Sequence, residues 1–203
     1  MKYLVTGGAG FVGSHLCAAL LKKGGKVRVL DNLSTGNKAN LEPFSSDIEF
    51  VQGEVQDEHI MKQACAGIDV VFHQAAYPSV PYSLKESVNA HGDNLTGTAV
   101  SLAAAQEAGV KRFVFASSAA VYGDSGKPVQ HEDDPINPLS NYAVHKYASE
   151  LYLKVAFERF GMETVALRYF NIFGSRQDPS SDYAAVVPIF IQKMLAGEQP
   201  IIF

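Results

Sequence analysis

Lys2-Tyr3-Leu4-Val5-Thr6-Gly7-Gly8-Ala9-Gly10-Phe11-Val12-Gly13-Ser14-His15-Leu16-Cys17-Ala18-Ala19-Leu20-Leu21-Lys22-Lys23 decides the fold. Lys2–Val5 has the apolar run of a buried strand, and Phe11–Lys23 has helical spacing. The glycines between them have distinct jobs: Gly7 permits a tight turn, Gly10 lets backbone approach a ligand, and Gly13 lets helix and strand pack closely. A pyrophosphate would then sit on the positive end of the helix. A glycine-rich β–α turn with no ligand is the plain alternative, and the strand-to-helix context counts against it.

The same alternation continues outward. Strands are expected at Val27–Leu30, Ile48–Val51, Val70–Phe72, Phe113–Ala116 and Thr164–Leu167. Helices are expected at Asp57–Ala66, over a long region Ser83–Ala108 closed by Gly109, at Asn141–Phe160 ending on Gly161, and at Val186–Ala196. Gly123–Ser140 reads as a surface loop. Strands alternating with helices require parallel pairing through right-handed crossovers, which gives an α/β, doubly wound parallel sheet of Rossmann type. Residues 1–170 form the dinucleotide-binding unit on this reading, and 171–203 open a smaller one. Pro200–Phe203 reads as a strand just starting, so the expectation is a chain cut short inside that second unit.

Composition narrows the function. The 203 residues are 47% hydrophobic and 19% charged, with a net charge of −4 and no run of Lys or Arg. Nothing there favours a nucleic-acid backbone or a membrane surface. No apolar stretch reaches the ~20 residues that span a bilayer. Cys17 and Cys65 read as free thiols, which fits a cytoplasmic setting. His131-Glu132-Asp133-Asp134 are consecutive, cannot all face one ion, and read as a solvated acidic turn; no metal is expected. His73 reads as a hydrogen-bonded core histidine and His145 as a helix-surface one.

Asp31 ends the second strand, where a carboxylate can accept the adenosine ribose hydroxyls and repel a 2′-phosphate. That favours NAD over NADP; Arg28, inside the strand, leaves a weak alternative. Tyr142 and Lys146 stand four apart at the start of a helix and share a face. Ser118 follows a strand, at the sheet edge where such folds place ligands. The three can converge on a sugar hydroxyl, with Tyr142 as base and Ser118 hydrogen-bonding the reacting oxygen. Bringing a phenol from about 10 to near 7 takes roughly 4 kcal/mol. An ammonium at about 5 Å supplies about 3 kcal/mol, and a positive nicotinamide ring supplies the rest.

The chain resembles the extended short-chain dehydrogenases/reductases, and within them the 4-epimerases of UDP-glucose and UDP-N-acetylglucosamine. The landmarks are Thr6–Gly13, Asp31-Asn32-Leu33-Ser34-Thr35-Gly36, His73-Gln74-Ala75-Ala76, Asn94-Leu95-Thr96-Gly97-Thr98, Ser117–Gly123 and Arg168-Tyr169-Phe170-Asn171. The resemblance implies that Phe11 and Val12 meet the pyrophosphate, that Asp31, Asn32, Ser34, Thr35 and Gly36 hold the adenosine, and that Glu54 and Val55 flank the adenine. The family usually has Asp where Glu54 stands. It further implies that Gln74, Ala75, Ala76, Asn94 and Phe170 line the dinucleotide. Ser79, Asn171, Ala185 and Val186 would hold the nucleotide sugar, with Arg176-Gln177-Asp178-Pro179 opening the UDP-binding region. A homodimer through the helices around Ala99–Ala108 and Ser149–Phe160 is implied by the family's habit. The family's 4,6-dehydratases carry Asp-Glu after the catalytic hydroxyl residue, where this chain has Ala119 and Ala120. That points to 4-epimerisation of a UDP-hexose through a 4-keto intermediate. A nucleotide-sugar reductase or decarboxylase, or a non-catalytic dinucleotide-binding module, remain as other readings.

Overall fold

A computed structural model describes residues 1–178 and 186–200. The elements are β1 (Lys2–Thr6), α1 (Phe11–Lys22), β2 (Lys26–Asp31), β3 (Ile48–Gln52), α2 (Glu58–Cys65), β4 (Val70–His73), α3 (Val80–Lys85), α4 (Ser87–His91), α5 (Gly97–Glu107), β5 (Arg112–Ser118), α6 (Asn141–Phe160), β6 (Glu163–Tyr169) and α7 (Val186–Leu195). Two 3₁₀ segments, Lys38–Asp47 and Ala119–Tyr122, and a π-helical turn, Gly92–Thr96, complete the list. The strands form one parallel sheet in the order β3-β2-β1-β4-β5-β6. The order reverses between β1 and β4, and there the carboxyl ends of the strands open a crevice.

Side chains alternate across the sheet, so each central strand feeds two cores. Leu4, Leu30, Val71, Phe113 and Phe115 pack with Met61 of α2, Leu102 and Ala105 of α5 and Leu153 of α6. On the other face Val5 and Val29 pack with Cys17 and Leu20 of α1 and with Leu41 and Phe44. The two thiols fall in different cores and are unpaired; burial pushes both up to about 12. None of the described helices is long and apolar enough to cross a membrane.

Apart from the region Ser83–Ala108 and the tail from Pro200, every strand and helix expected from the sequence is present, with ends moved by a residue or two, and α6 keeps its bounds. The long helix expected over Ser83–Ala108 is broken. The chain leaves helical geometry at Glu86 and widens into a π turn at Gly92–Thr96. Within the π turn the buried amide of Asn94 clasps the backbone of Tyr77: Oδ1 accepts from its N–H at 2.8 Å and Nδ2 donates to its carbonyl at 3.2 Å. His145 is also corrected. It is 6% exposed, because α4 packs on that face of α6 and sets the His91 ring edge-on to it at 5.3 Å. His73 is the expected core histidine, between the hydroxyls of Thr6 (2.8 Å) and Thr98 (3.2 Å); burial depresses it to about 3. The acidic turn is held by an ion pair of Asp134 with Lys127. The tail Ile201–Phe203, where a strand is expected to begin, lies outside the described residues.

Candidate active site and dinucleotide cradle

A cavity of about 1330 Å³ runs along the crevice, beyond the upper end of the size usual for small-molecule pockets. One end is walled by Gly7, Gly10, Phe11, Val12 and Gly13, then by Asp31, Asn32, Ser34, Thr35, Gly36, Glu54 and Val55. The other end is walled by Ser118, Tyr142, Lys146, Phe170 and Asn171, and Gln74, Ala75 and Ala76 join them.

The glycine loop leaves no room for side chains. Gly7 lies at φ +66°, where an added Cβ would stand 2.7 Å from the Ala75 nitrogen. A Cβ on Gly13 would collide with the Gly7 carbonyl and stand 2.7 Å from the Gly8 Cα. Gly10 precedes α1 with no side-chain cap, so the helix offers unshielded N–H groups to a ligand. Asp31 is buried; Oδ2 accepts from Ala9 N–H at 2.9 Å and Oδ1 from Leu33 N–H at 2.8 Å. Each oxygen keeps acceptor capacity for a ribose hydroxyl. Burial holds this carboxyl above its ordinary value despite both donors. Arg28 Nη1 caps the last turn of α2, donating to the carbonyls of Gln63, Ala64 and Ala66, and Nε pairs with Glu49 at 2.8 Å. It is not among the cavity residues, which removes the basis for a 2′-phosphate site. Glu54 accepts from Asn32 Nδ2 at 2.9 Å, so the longer side chain is held at the rim. These residues fit an adenine dinucleotide without a 2′-phosphate.

Tyr142, Lys146 and Ser118 converge as expected. Ser118 ends β5, and its hydroxyl hydrogen-bonds Tyr142, which pulls the phenol down; burial is the larger effect and leaves it raised. Lys146 is 3% exposed, donates to the Ala116 carbonyl at 2.8 Å and lies 5.6 Å from the Tyr142 ring centre. Burial depresses it to about 7. The full ammonium charge assumed from sequence is therefore opposed by the site's own dryness. Ser83 of α3 accepts from the Tyr142 N–H at 3.1 Å and fixes the start of α6.

Other expected site residues lie elsewhere. Asn94 is behind the cavity wall, clasping Tyr77, and does not line it. Ser79 is fully buried, and its hydroxyl caps α3 by accepting from Tyr82 N–H at 2.8 Å. Val186 is exposed on α7 and is not among the residues that line the cavity, and Ala185 lies outside the described residues. Sequence reasoning missed Asn37 and Asn40, which pack at the adenosine end; Asn40 Nδ2 donates to the Ala9 carbonyl at 2.9 Å. It also missed a clamp behind the catalytic end. Glu150, one turn past Lys146, accepts from Ser117 of β5 and from Arg168 of β6, and Arg168 also donates to the Tyr122 hydroxyl at 2.9 Å. The spacing Tyr142, Lys146, Glu150 on one helical face was the signal for it.

A six-stranded parallel sheet of this order, with a glycine loop after β1, a carboxylate ending β2 and a Ser–Tyr–Lys set at β5 and α6, defines a short-chain dehydrogenase/reductase-type domain. The particular family follows from comparison: residues 3–203 match the model of the NAD dependent epimerase/dehydratase family, and the chain belongs to it. It is 38% identical to the UDP-glucose 4-epimerase of Lactobacillus helveticus, covering 98% of this chain and 61% of that one. A UDP-N-acetyl-alpha-D-glucosaminuronate decarboxylase of Bacillus cytotoxicus is 34% identical, over 100% of this chain and 64% of that one. The solved structure of a UDP-N-acetylglucosamine 4-epimerase from Methanobrevibacter ruminantium M1, in complex with UDP-N-acetylmuramic acid, superposes with a TM-score of 0.94 at 40% identity, over 100% of this chain and 65% of that one. The chain thus spans less than two thirds of the length of these relatives.

Proposed function

We propose that the chain carries the NAD-binding and catalytic part of a UDP-hexose 4-epimerase. The glycine loop and Asp31 would hold NAD, which when bound would supply a reversible hydride acceptor. Tyr142 takes the proton of the sugar's C4 hydroxyl, and Ser118 donates a hydrogen bond to the reacting oxygen. Lys146 would lower the phenol in its charged form, which burial opposes. Rotation of the 4-keto sugar then presents its opposite face, and Tyr142 returns the proton as the C4 hydroxyl re-forms. The observation that carries this reading is the convergence of Ser118, Tyr142 and Lys146 at one end of the cavity, with the Lys146 ammonium nitrogen 5.6 Å from the Tyr142 ring centre. Ala119 and Ala120 in the cavity wall favour epimerisation over dehydration, since neither has a titratable group. The decarboxylase relative supports the second reading, a nucleotide-sugar decarboxylase on the same three residues.

Residues 1–170 would hold the dinucleotide, and residues from 171 the nucleotide sugar, with Asn171 at the cavity as the first contact. A homodimer is supported by Leu151, Tyr152 and Val155, each about half exposed on α6. A monomeric mass in light scattering would remove it. Two unpaired buried thiols fit a reducing, cytoplasmic setting. Turnover tests the reaction: the chain with NAD is offered UDP-galactose or UDP-N-acetylgalactosamine, and anomeric proton signals are followed by NMR. Gluco epimers are expected from the parent chain, with at least a thousandfold loss in Tyr142→Phe. A carbon dioxide-releasing reaction on a uronate sugar, without epimer formation, would favour the second reading.

A further inference from the structure

The glycine loop presents backbone dipoles to a diphosphate but no cation, since the first turn of α1 bears no basic side chain. Only two cationic side chains line the cavity among the described residues, Lys146 and Arg176. Lys146 is committed to the Ala116 carbonyl at the catalytic end. Arg176 lies in the segment that sequence resemblance assigns to UDP, yet its neighbours belong to the first βαβ unit. Gly174 packs on Phe11, where an added Cβ would stand 3.2 Å from the ring. The Ser175 carbonyl meets His15 Nε2 at 2.8 Å. The Arg176 guanidinium lies 5.7 Å from the centre of the Phe44 ring. Its Nη1 is buried and has no hydrogen-bond partner among the described residues. Backbone geometry adds to this: Arg176 sits at φ +67°, in the left-handed region that glycine or Asn usually takes.

We propose that Arg176 is the cationic clamp of the dinucleotide's diphosphate, closing over the glycine loop from outside, rather than a ligand of the nucleotide sugar. The proposal rests on the dinucleotide reading above. A guanidinium with a free buried N–H, stacked on an aromatic face, is preorganised to donate charge-assisted hydrogen bonds to phosphate oxygens. It would add the positive charge that α1 supplies only as a dipole.

Calorimetric titration of the 203-residue chain with NAD, ADP, adenosine and UDP tests it. Arg176→Asn removes the charge and tolerates the left-handed backbone, so its melting curve should match the parent's. It should bind NAD and ADP at least tenfold more weakly, with adenosine and UDP unchanged. Arg176→Lys should recover part of the loss, because an ammonium restores charge without the fork. Unchanged NAD and ADP affinity in Arg176→Asn would overturn the proposal. So would loss of UDP binding alone, which would return Arg176 to the nucleotide sugar. Failure of the parent chain to bind either NAD or ADP would defeat the dinucleotide reading itself, a result distinct from either.

Discussion

The two ends of the cavity are built from different materials. At the adenosine end, shape comes from backbone: glycines that exclude side chains, a bare helix terminus, and one carboxylate already satisfied by two N–H groups. At the other end the work falls on side chains whose charged forms the site itself disfavours, since Tyr142 is raised and Lys146 depressed to about 7. The first end is complete once the chain folds. The second is geometrically assembled but electrostatically unfinished, and a bound cation such as an oxidised nicotinamide ring would lower the phenol.

The largest expected effect breaks the first end. Gly13→Val drives a branched side chain into the Gly7 carbonyl and the Gly8 Cα, and backbone cannot give way as a side chain can. A loss of about 3 kcal/mol or more is expected in thermal or urea unfolding, with no measurable NAD binding. A variant that melts with the parent would mean that the loop has slack, and the cradle would lose its claim to be preformed. Next in size is Glu150→Ala at the second end. It strands Arg168, whose side chain is 19% exposed, and frees Ser117 next to Ser118. Removing one member of such a pair costs about 3 kcal/mol. Turnover should fall while ADP affinity stays within twofold of the parent. If ADP affinity falls too, the ends are mechanically coupled and the contrast between them is wrong.

Periodicity and glycine placement carried most of the fold, because buried parallel strands are continuous apolar runs and α6 is bounded by Ser140, which caps it, and by Gly161 at φ +70°. What escaped was set by tertiary partners. Nothing local announces that Asn94 will turn inward to hold Tyr77, or that α4 will cover His145. At the site, residues whose role follows from spacing, such as Gly7, Gly13, Asp31, Tyr142 and Lys146, came to the cavity. Those carried over only by family likeness divided: Phe11, Val12 and Asn171 reached it, whereas Asn94 and Ser79 serve as braces behind it. Burial was the other illegible quantity. A Tyr and a Lys four apart say nothing about how dry their surroundings are, and dryness decides their ionisation.

The smallest effect is the most direct probe of that unfinished end. An amine with an ordinary value of 10.5 held at about 7 in the fold is protonated in the unfolded chain but not in the folded one between those limits. Stability contributed by this group therefore rises with pH from about 7 to 10.5, and the cost of burying the charge is fully present below pH 7. Above pH 9 the raised thiols of Cys17 and Cys65 act in the opposite sense, because the unfolded chain ionises first. Below 6.5 the depressed His73 and His145 intervene. Urea unfolding at pH 7, 7.5 and 8, where the thiols of the unfolded chain are still largely protonated, isolates Lys146, and the parent chain should gain about 1 kcal/mol across that window. Lys146→Met should be more stable than the parent at pH 7 and flat to pH 8, so that the difference shrinks as the solution becomes more basic. A parent as flat as the variant would mean that Lys146 keeps its charge in the dinucleotide-free fold. The phenol would then already have its cation before anything binds, and the two ends would be alike in readiness.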